Sequence, residues 1–199
     1  MKASTSNPAK KIVIFASGSG TNAENIIKYF NNTDFAKVIA VFSNKRSAKV
    51  LERAHKLNIK ALHFDRESFY ETNEVLNLLC DMKPDLIVLA GFLWLFPSKI
   101  LKKFPKKVIN IHPALLPKYG GKGMYGDLVH QSVIANGDTS SGITIHYVNE
   151  NYDEGSTIFQ TTLNINEEDT PSTLAKRIHD LEYLHFPKTI ETLLQKQSN

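Results

Sequence analysis

Short, continuously apolar runs alternate along this chain with stretches of helical periodicity, and this alternation constrains the fold more than any other feature. Lys11–Ser17 is apolar without interruption from Ile12 to Ala16, the pattern of a parallel strand buried on both faces. Spacing of apolar residues then predicts a helix over 23–30 with Ile26, Ile27 and Phe30 facing inward, a strand at 38–43, an amphipathic helix at 48–57 and a third strand at 60–64. A helix at 68–82, a strand at 86–90 ended by Gly91, and a short helix at 97–103 lead into a strand ending at 108–111. Such alternation argues for a right-handed, doubly wound parallel sheet. Further on, 128–136 reads as a helix, and 143–148 and 157–164 read as strands added to one sheet edge. Thr170-Pro171 supplies an N-cap and a proline at N1 for a last helix, which Pro187 is expected to kink. The expected fold class is α/β: one Rossmann-like domain at 11–195, mostly parallel sheet with helices on both faces, behind a disordered extension at 1–10.

Composition narrows the function. A chain of 199 residues with 42% apolar and 22% charged residues is long enough for one sizeable core. No apolar run approaches the roughly 18–20 residues of a membrane span, and the start lacks a signal-peptide pattern. The single cysteine, Cys80, allows no internal disulfide and reads as a buried core thiol, which fits a reducing cytoplasm. The charge of +4 is mild. Lys102, Lys103, Lys106 and Lys107 lack interleaved aromatics and read as a solvated face rather than a nucleic-acid site. The seven histidines have no metal-ligand spacing, so no metal is expected.

Two stretches carry chemistry. Gly18-Ser19-Gly20-Thr21-Asn22 sits between the first strand and the first helix, where free N–H groups and the helix dipole favour an anion. Thr21-x-x-Glu24 matches a capping box, which places the helix start near Thr21. Taken alone, this loop is as well explained by a tight turn without a ligand. In Val108-Ile109-Asn110-Ile111-His112-Pro113, alternation puts Asn110 and His112 on one face at a strand's carboxyl end, and Pro113 stops the strand. Open α/β sheets bind ligands at that end. An Asn amide can donate to an oxyanion and an imidazole can move a proton; a turn satisfied by the same two side chains is the alternative. Phe92–Phe96 suits either core packing or a slot for a flat ring. The glycines at 120, 121, 123 and 126 predict an irregular segment.

Three stretches together resemble the folate-dependent formyltransferases, and among them the phosphoribosylglycinamide formyltransferases. They are Ser17–Asn22, Asn110-Ile111-His112-Pro113-Ala114-Leu115-Leu116-Pro117, and Gly142–His146 with Asp153-Glu154-Gly155. The likeness runs from about 11 to 195. It implies formyl transfer from 10-formyltetrahydrofolate, as co-substrate, to the amine of 5-phosphoribosylglycinamide in purine synthesis, without metal. The resemblance carries over Asn110, His112 and Asp153 as catalytic residues, with Gly20, Thr21 and Asn22 on the substrate phosphate and His179 and Glu182 on the sugar phosphate. Arg66, Leu93, Trp94, Leu95, Phe96, Asn110, Asn149 and Asp153 would line the folate site. Two departures stand out: Trp94 replaces an Arg common in the family, and Gly121–Gln131 is longer than usual with only His130 where two histidines are common.

The implied partners are these two small molecules, with no nucleic acid and no membrane, acting on a cytoplasmic monomer or homodimer. A Rossmann-type nucleotide-binding module would explain the glycine loop but leave Asn110, His112 and Asp153 without a task. A formyltetrahydrofolate hydrolase is expected to carry an N-terminal regulatory domain, and a methionyl-tRNA formyltransferase a C-terminal one.

Overall fold

The computed structural model describes residues 8–196. A seven-stranded sheet in the order β3-β2-β1-β4-β5-β6-β7 forms the centre of the molecule. Its strands are β1 (Lys10–Phe15), β2 (Ala36–Ser43), β3 (Lys60–His63), β4 (Leu86–Leu89), β5 (Val108–His112), β6 (Ser140–Tyr147) and β7 (Thr157–Asn164). The first five pair in parallel, whereas β5–β6 and β6–β7 are antiparallel. Strand β1 begins at Lys10, which pairs with Ala36 and so lies within the extension expected to be disordered; residues 1–7 of that extension lie outside the described residues.

The period-two geometry of a strand sorts the core into two layers. From β1, Ile12 and Ile14 face one cluster with Ile26, Ile27 and Phe30 of α1 (Thr21–Asn31), Val50 and Ala54 of α2 (Lys49–Lys56), Val133 of α5 (Asp127–Ala135) and Leu174, Ile178 and Ile190 of α6 (Pro171–Lys196). Val13 and Phe15 face the other, with Phe69, Val75 and Leu79 of α3 (Glu74–Met82) and Ile100 of α4 (Ser98–Lys103). Full burial on both faces explains why β1 and β4 read as unbroken apolar runs. Strand order reverses between β1 and β4, and a crevice opens outside the carboxyl ends at such a point.

Several local expectations are corrected. The helix expected at 68–82 is two pieces: a π-helical turn at Glu67–Glu71, then extended Thr72, then α3. Asp65 caps the first piece, accepting the Ser68 N–H at 2.9 Å. The capping box at Thr21 does not form. Gly20 is the N-cap in the left-handed region, and no side chain caps the end. Glu24 turns instead to Lys28 and Arg53. Cys80 is half-buried beside the second cluster rather than deep in it. Helix α6 continues unbroken past Pro187. Proline cannot donate to the Tyr183 carbonyl four residues back, and Asn25 Nδ2 from α1 takes that carbonyl at 2.9 Å.

The antiparallel edge depends on close backbone approach. A Cβ added at Gly142 of β6 would stand 2.0 Å from the Thr161 carbonyl oxygen of β7. Gly142→Ala is expected to destabilise the fold by about 1–3 kcal/mol through overpacking. Thermal unfolding measures this as a fall in Tm of about 3–10 °C.

Candidate active site

One cavity of about 620 Å³ occupies the crevice. At one end lies the loop after β1, Ser17–Asn22; at the other lie Asn110 and His112 of β5 with Asp153 from the β6–β7 connection. Ala90–Leu93 after β4 form a side wall, and His130 of α5 with His179 and Glu182 of α6 line the middle.

Strand β5 ends at His112, and its partner β6 completes the reacting end. Asn110 is in register with His146, and His112 with Thr144. Thr144 Oγ1 donates to Ala114 O at 2.7 Å and accepts the Leu116 N–H at 3.0 Å, which fixes the chain just beyond Pro113. His146 Nδ1 lies 2.9 Å from the Tyr147 carbonyl and must carry its hydrogen there. Nε2 is then an acceptor for Asn110 Nδ2 at 3.1 Å. The second Asn110 N–H makes a longer contact, 3.4 Å, to Asp153 Oδ1.

Asp153 adopts a left-handed backbone, φ 58°, two residues before Gly155. A Cβ at Gly155 would stand 1.6 Å from the Tyr147 carbonyl oxygen, so the connection can make this turn only with glycine. Asp153 Oδ2 accepts the Gly121 N–H at 3.0 Å and lies 3.5 Å from His112 Nδ1. His112 Nε2 is 2.7 Å from the Tyr119 carbonyl, which requires a hydrogen on Nε2. In the neutral imidazole, Nδ1 is therefore the basic nitrogen, and it faces a carboxylate.

Burial pushes the His112 pKa below its ordinary value, although the Asp153 charge and the Tyr119 carbonyl oppose it. Burial alone would raise Asp153, but its polar contacts, the Gly121 N–H among them, outweigh it and hold the carboxyl below the usual range. The pair is thus a neutral histidine beside an ionised aspartate, ready to hold one proton between two acceptors.

Glu182 is 4% exposed, and Oε2 accepts Asn22 Nδ2 at 2.8 Å and pairs with His179 Nδ1 at 2.7 Å. That hydrogen bond raises the His179 pKa against the effect of burial. The Asn22 side chain serves α6, so its loop offers backbone N–H groups to the cavity.

The cavity brings together Gly20, Thr21, Asn22, Leu93, Asn110, His112, Asp153, His179 and Glu182. Arg66, Trp94, Leu95, Phe96 and Asn149 are outside its lining. Phe96 is buried in the second core, and the Leu95 carbonyl accepts the Tyr70 hydroxyl at 2.8 Å. Arg66 stacks over Tyr70 and Trp94, with its Cζ 5.0 and 5.7 Å from the two ring centroids. Asn149 Oδ1 accepts the Asn151 N–H at 3.1 Å within the surface loop.

Sequence reasoning quoted Ser17 and His146 within the resembling stretches but gave them no role, and it did not single out Lys45, which also lines the cavity. Alternation along β6 was visible, but which β5 residue faces His146 depends on antiparallel register. Ser17 is buried, donates to Asn44 Oδ1 at 2.7 Å and accepts the Leu93 N–H at 3.0 Å, tying two walls of the cavity. Its signal was its place between an apolar strand and glycines. Among the described residues no group of three His, Cys, Asp or Glu side chains could hold a metal, and no helix is long and apolar enough to cross a membrane.

A folded-state pKa below the unfolded value means the neutral His112 stabilises the fold above about pH 6.5, and this contribution is lost as pH falls through the folded pKa. Proton-detected NMR of the imidazole is expected to show His112 titrating below an ordinary histidine. In Asp153→Asn the titration should move lower still, because the opposing carboxylate is gone. An unchanged or higher His112 pKa in that variant would show that the two groups are not electrostatically coupled.

Known proteins resemble this chain in sequence and fold. Residues 10–190 match the formyl transferase family. The phosphoribosylglycinamide formyltransferase of Haemophilus influenzae is 37% identical over 187 residues, which cover 92% of this chain and 86% of that protein. The chloroplastic phosphoribosylglycinamide formyltransferase of Arabidopsis thaliana is 34% identical over 94% of this chain, which spans 66% of that longer relative. The crystal structure of glycinamide ribonucleotide transformylase 1 from Symbiobacterium toebii superposes with a TM-score of 0.87 at 29% identity, covering 96% of this chain and 90% of that one. The chain belongs to the formyl transferase family, and within it to the phosphoribosylglycinamide formyltransferases.

Proposed function

We propose that this enzyme transfers the formyl group of 10-formyltetrahydrofolate to the amine of 5-phosphoribosylglycinamide, in purine synthesis. The observation that carries the reading is the layout of one cavity: a loop of free N–H groups at one end and Asn110, His112 and Asp153 at the other. A phosphorylated amine spans these ends with its phosphate at Gly20–Asn22. Glu182 and His179 face its sugar midway. The folate enters along Ala90–Leu93, with Leu93 against its ring, and its tail extends over the Arg66–Trp94 ledge toward Leu95 and Asn149, while Phe96 supports that wall from the core.

The chemistry follows from the geometry. The amine nitrogen attacks the formyl carbon, forming a C–N bond and a tetrahedral oxyanion. Asn110 donates to that oxygen by giving up its long contact with Asp153. The nitrogen, now cationic, loses a proton to the Asp153–His112 pair, where Nδ1 and Oδ2 are 3.5 Å apart. Once protonated, His112 donates to both Tyr119 O and Asp153, so two acceptors offset the cost of a buried imidazolium. The pair returns the proton to N10 of the folate as the C–N10 bond breaks. Tetrahydrofolate and the formylated ribonucleotide leave.

We place this activity in the cytoplasm, whose reducing conditions suit a chain with a single free cysteine, in a monomer or homodimer. The fold at 11–195 acts as one domain.

Incubation with 10-formyltetrahydrofolate is expected to release tetrahydrofolate only when 5-phosphoribosylglycinamide is present; equal release without the amine would identify a hydrolase. Asn110→Ala is expected to lower kcat by about 10²–10³-fold, the usual cost of one oxyanion donor. Asp153→Asn should also lower kcat strongly while leaving the ribonucleotide KM within about twofold. Steady-state kinetics at pH 6–9 checks both, and near wild-type turnover in either variant would remove that residue from the mechanism.

A further inference from the structure

Three carbonyls hold the loop after β1, and α2 rather than the loop's own helix holds two of them. The Val50 N–H donates to Gly18 O at 3.2 Å, and Arg53 Nε donates to Ser19 O at 2.9 Å. The third, Gly20 O, accepts the Glu24 N–H at 2.9 Å inside α1. In a planar trans peptide the N–H points opposite to the C=O. Each anchored carbonyl therefore aims the next residue's N–H the other way. The Ser19 and Gly20 N–H groups point away from α2, and the Thr21 N–H points out of the start of α1. None of the three has a hydrogen-bond partner within the described residues, and all three residues line the cavity.

Arg53 lines no part of that cavity. Its guanidinium also pairs with Glu24, whose carboxyl is held below the usual range by Lys28 first and by Arg53. Glu24 stands in the first turn of α1, where an uncompensated charge would repel an anion bound at the helix end.

We propose that Arg53 is a positioning residue for the ribonucleotide phosphate. It clamps the Ser19–Gly20 peptide so that the Gly20 N–H faces the anion, and it does so without touching substrate. Gly20 itself suits this clamp: its φ is +76°, and a Cβ there would lie 2.3 Å from the Val50 side chain. The inference rests on the reading that the phosphate binds Gly20–Asn22.

The test uses the full-length protein with two amine substrates, the ribonucleotide and its dephosphorylated riboside. R53M keeps the alkyl stem and removes both donors; the Arg53 side chain is 37% exposed, so the change leaves no buried gap. R53M/E24Q also removes the carboxylate that R53M leaves without this partner, and E24Q is its reference. R53M is expected to raise the ribonucleotide KM about tenfold, the scale of one charge-assisted hydrogen bond. Turnover number, formyl-donor KM and riboside kcat/KM should stay within about twofold. The double variant should keep the raised KM, because removing the charge does not restore the clamp. An unchanged KM in R53M, or a double variant that returns to the E24Q value, overturns the proposal. A parallel loss with the riboside assigns Arg53 a general structural role and also overturns it. A wild-type enzyme that does not distinguish ribonucleotide from riboside overturns instead the phosphate assignment beneath the inference.

Discussion

The Asp153 carboxylate is the contact on which the reacting end of this molecule depends. It is largely buried; the Gly121 N–H and the Asn110 amide donate to it, and the rings of His112 and His146 lie beside it at 3.5 and 3.6 Å. A buried carboxylate without such partners would take up a proton and become neutral. With them it stays ionised, and the neutral His112 beside it gains a place to share a proton. The left-handed backbone at Asp153 and the close approach at Gly155 are the structural cost of bringing a loop carboxylate over a strand end.

The antiparallel edge makes that meeting possible. A purely parallel sheet would end at β5 with Asn110 and His112 facing the crevice alone. Adding β6 antiparallel places His146 directly opposite Asn110; the β6–β7 connection leaves beside Val108 and folds back to bring Asp153 to Asn110 and His112. Gly142 lets β7 approach closely enough to hold that connection. The long helix α6 then closes the middle of the crevice with Glu182, tied to α1 through Asn22, and reinforced where Asn25 takes the carbonyl that Pro187 leaves without a donor. Packing and polar contacts here serve the same end: the first helix and the last are locked across the cavity they share.

The two halves of the cavity are also joined on the opposite wall. Ser17 connects the loop after β1 with the Leu93 N–H after β4 and with Asn44 after β2, all from a buried hydroxyl. A hydroxyl that both donates and accepts can bridge loops that no backbone ladder reaches. Anion-binding amides and the folate-side wall are thereby set at a fixed spacing, which a two-substrate reaction requires for attack geometry.

Much of this was legible in the residues themselves. Unbroken apolar strands, amphipathic helices and a glycine turn determined a doubly wound sheet, and alternation alone placed Asn110 and His112 on one face. Those are local properties, set by side-chain period and by backbone conformations that neighbouring residues dictate. The breaks in the reading came where a distant partner overrode a local preference. Thr21 and Glu24 have the letters of a capping box, yet Arg53 from another helix takes Glu24 and glycine caps the end. Asp153 was marked by the family resemblance alone, and His146 read as one polar residue of an edge strand. Only the tertiary structure decided that Asn110, His112, His146 and Asp153 converge, because antiparallel register and a long connection set their distances. Only it decided, too, that Phe96 belongs to the core while Leu93 faces the cavity, since position along a loop does not say which side packs against the sheet.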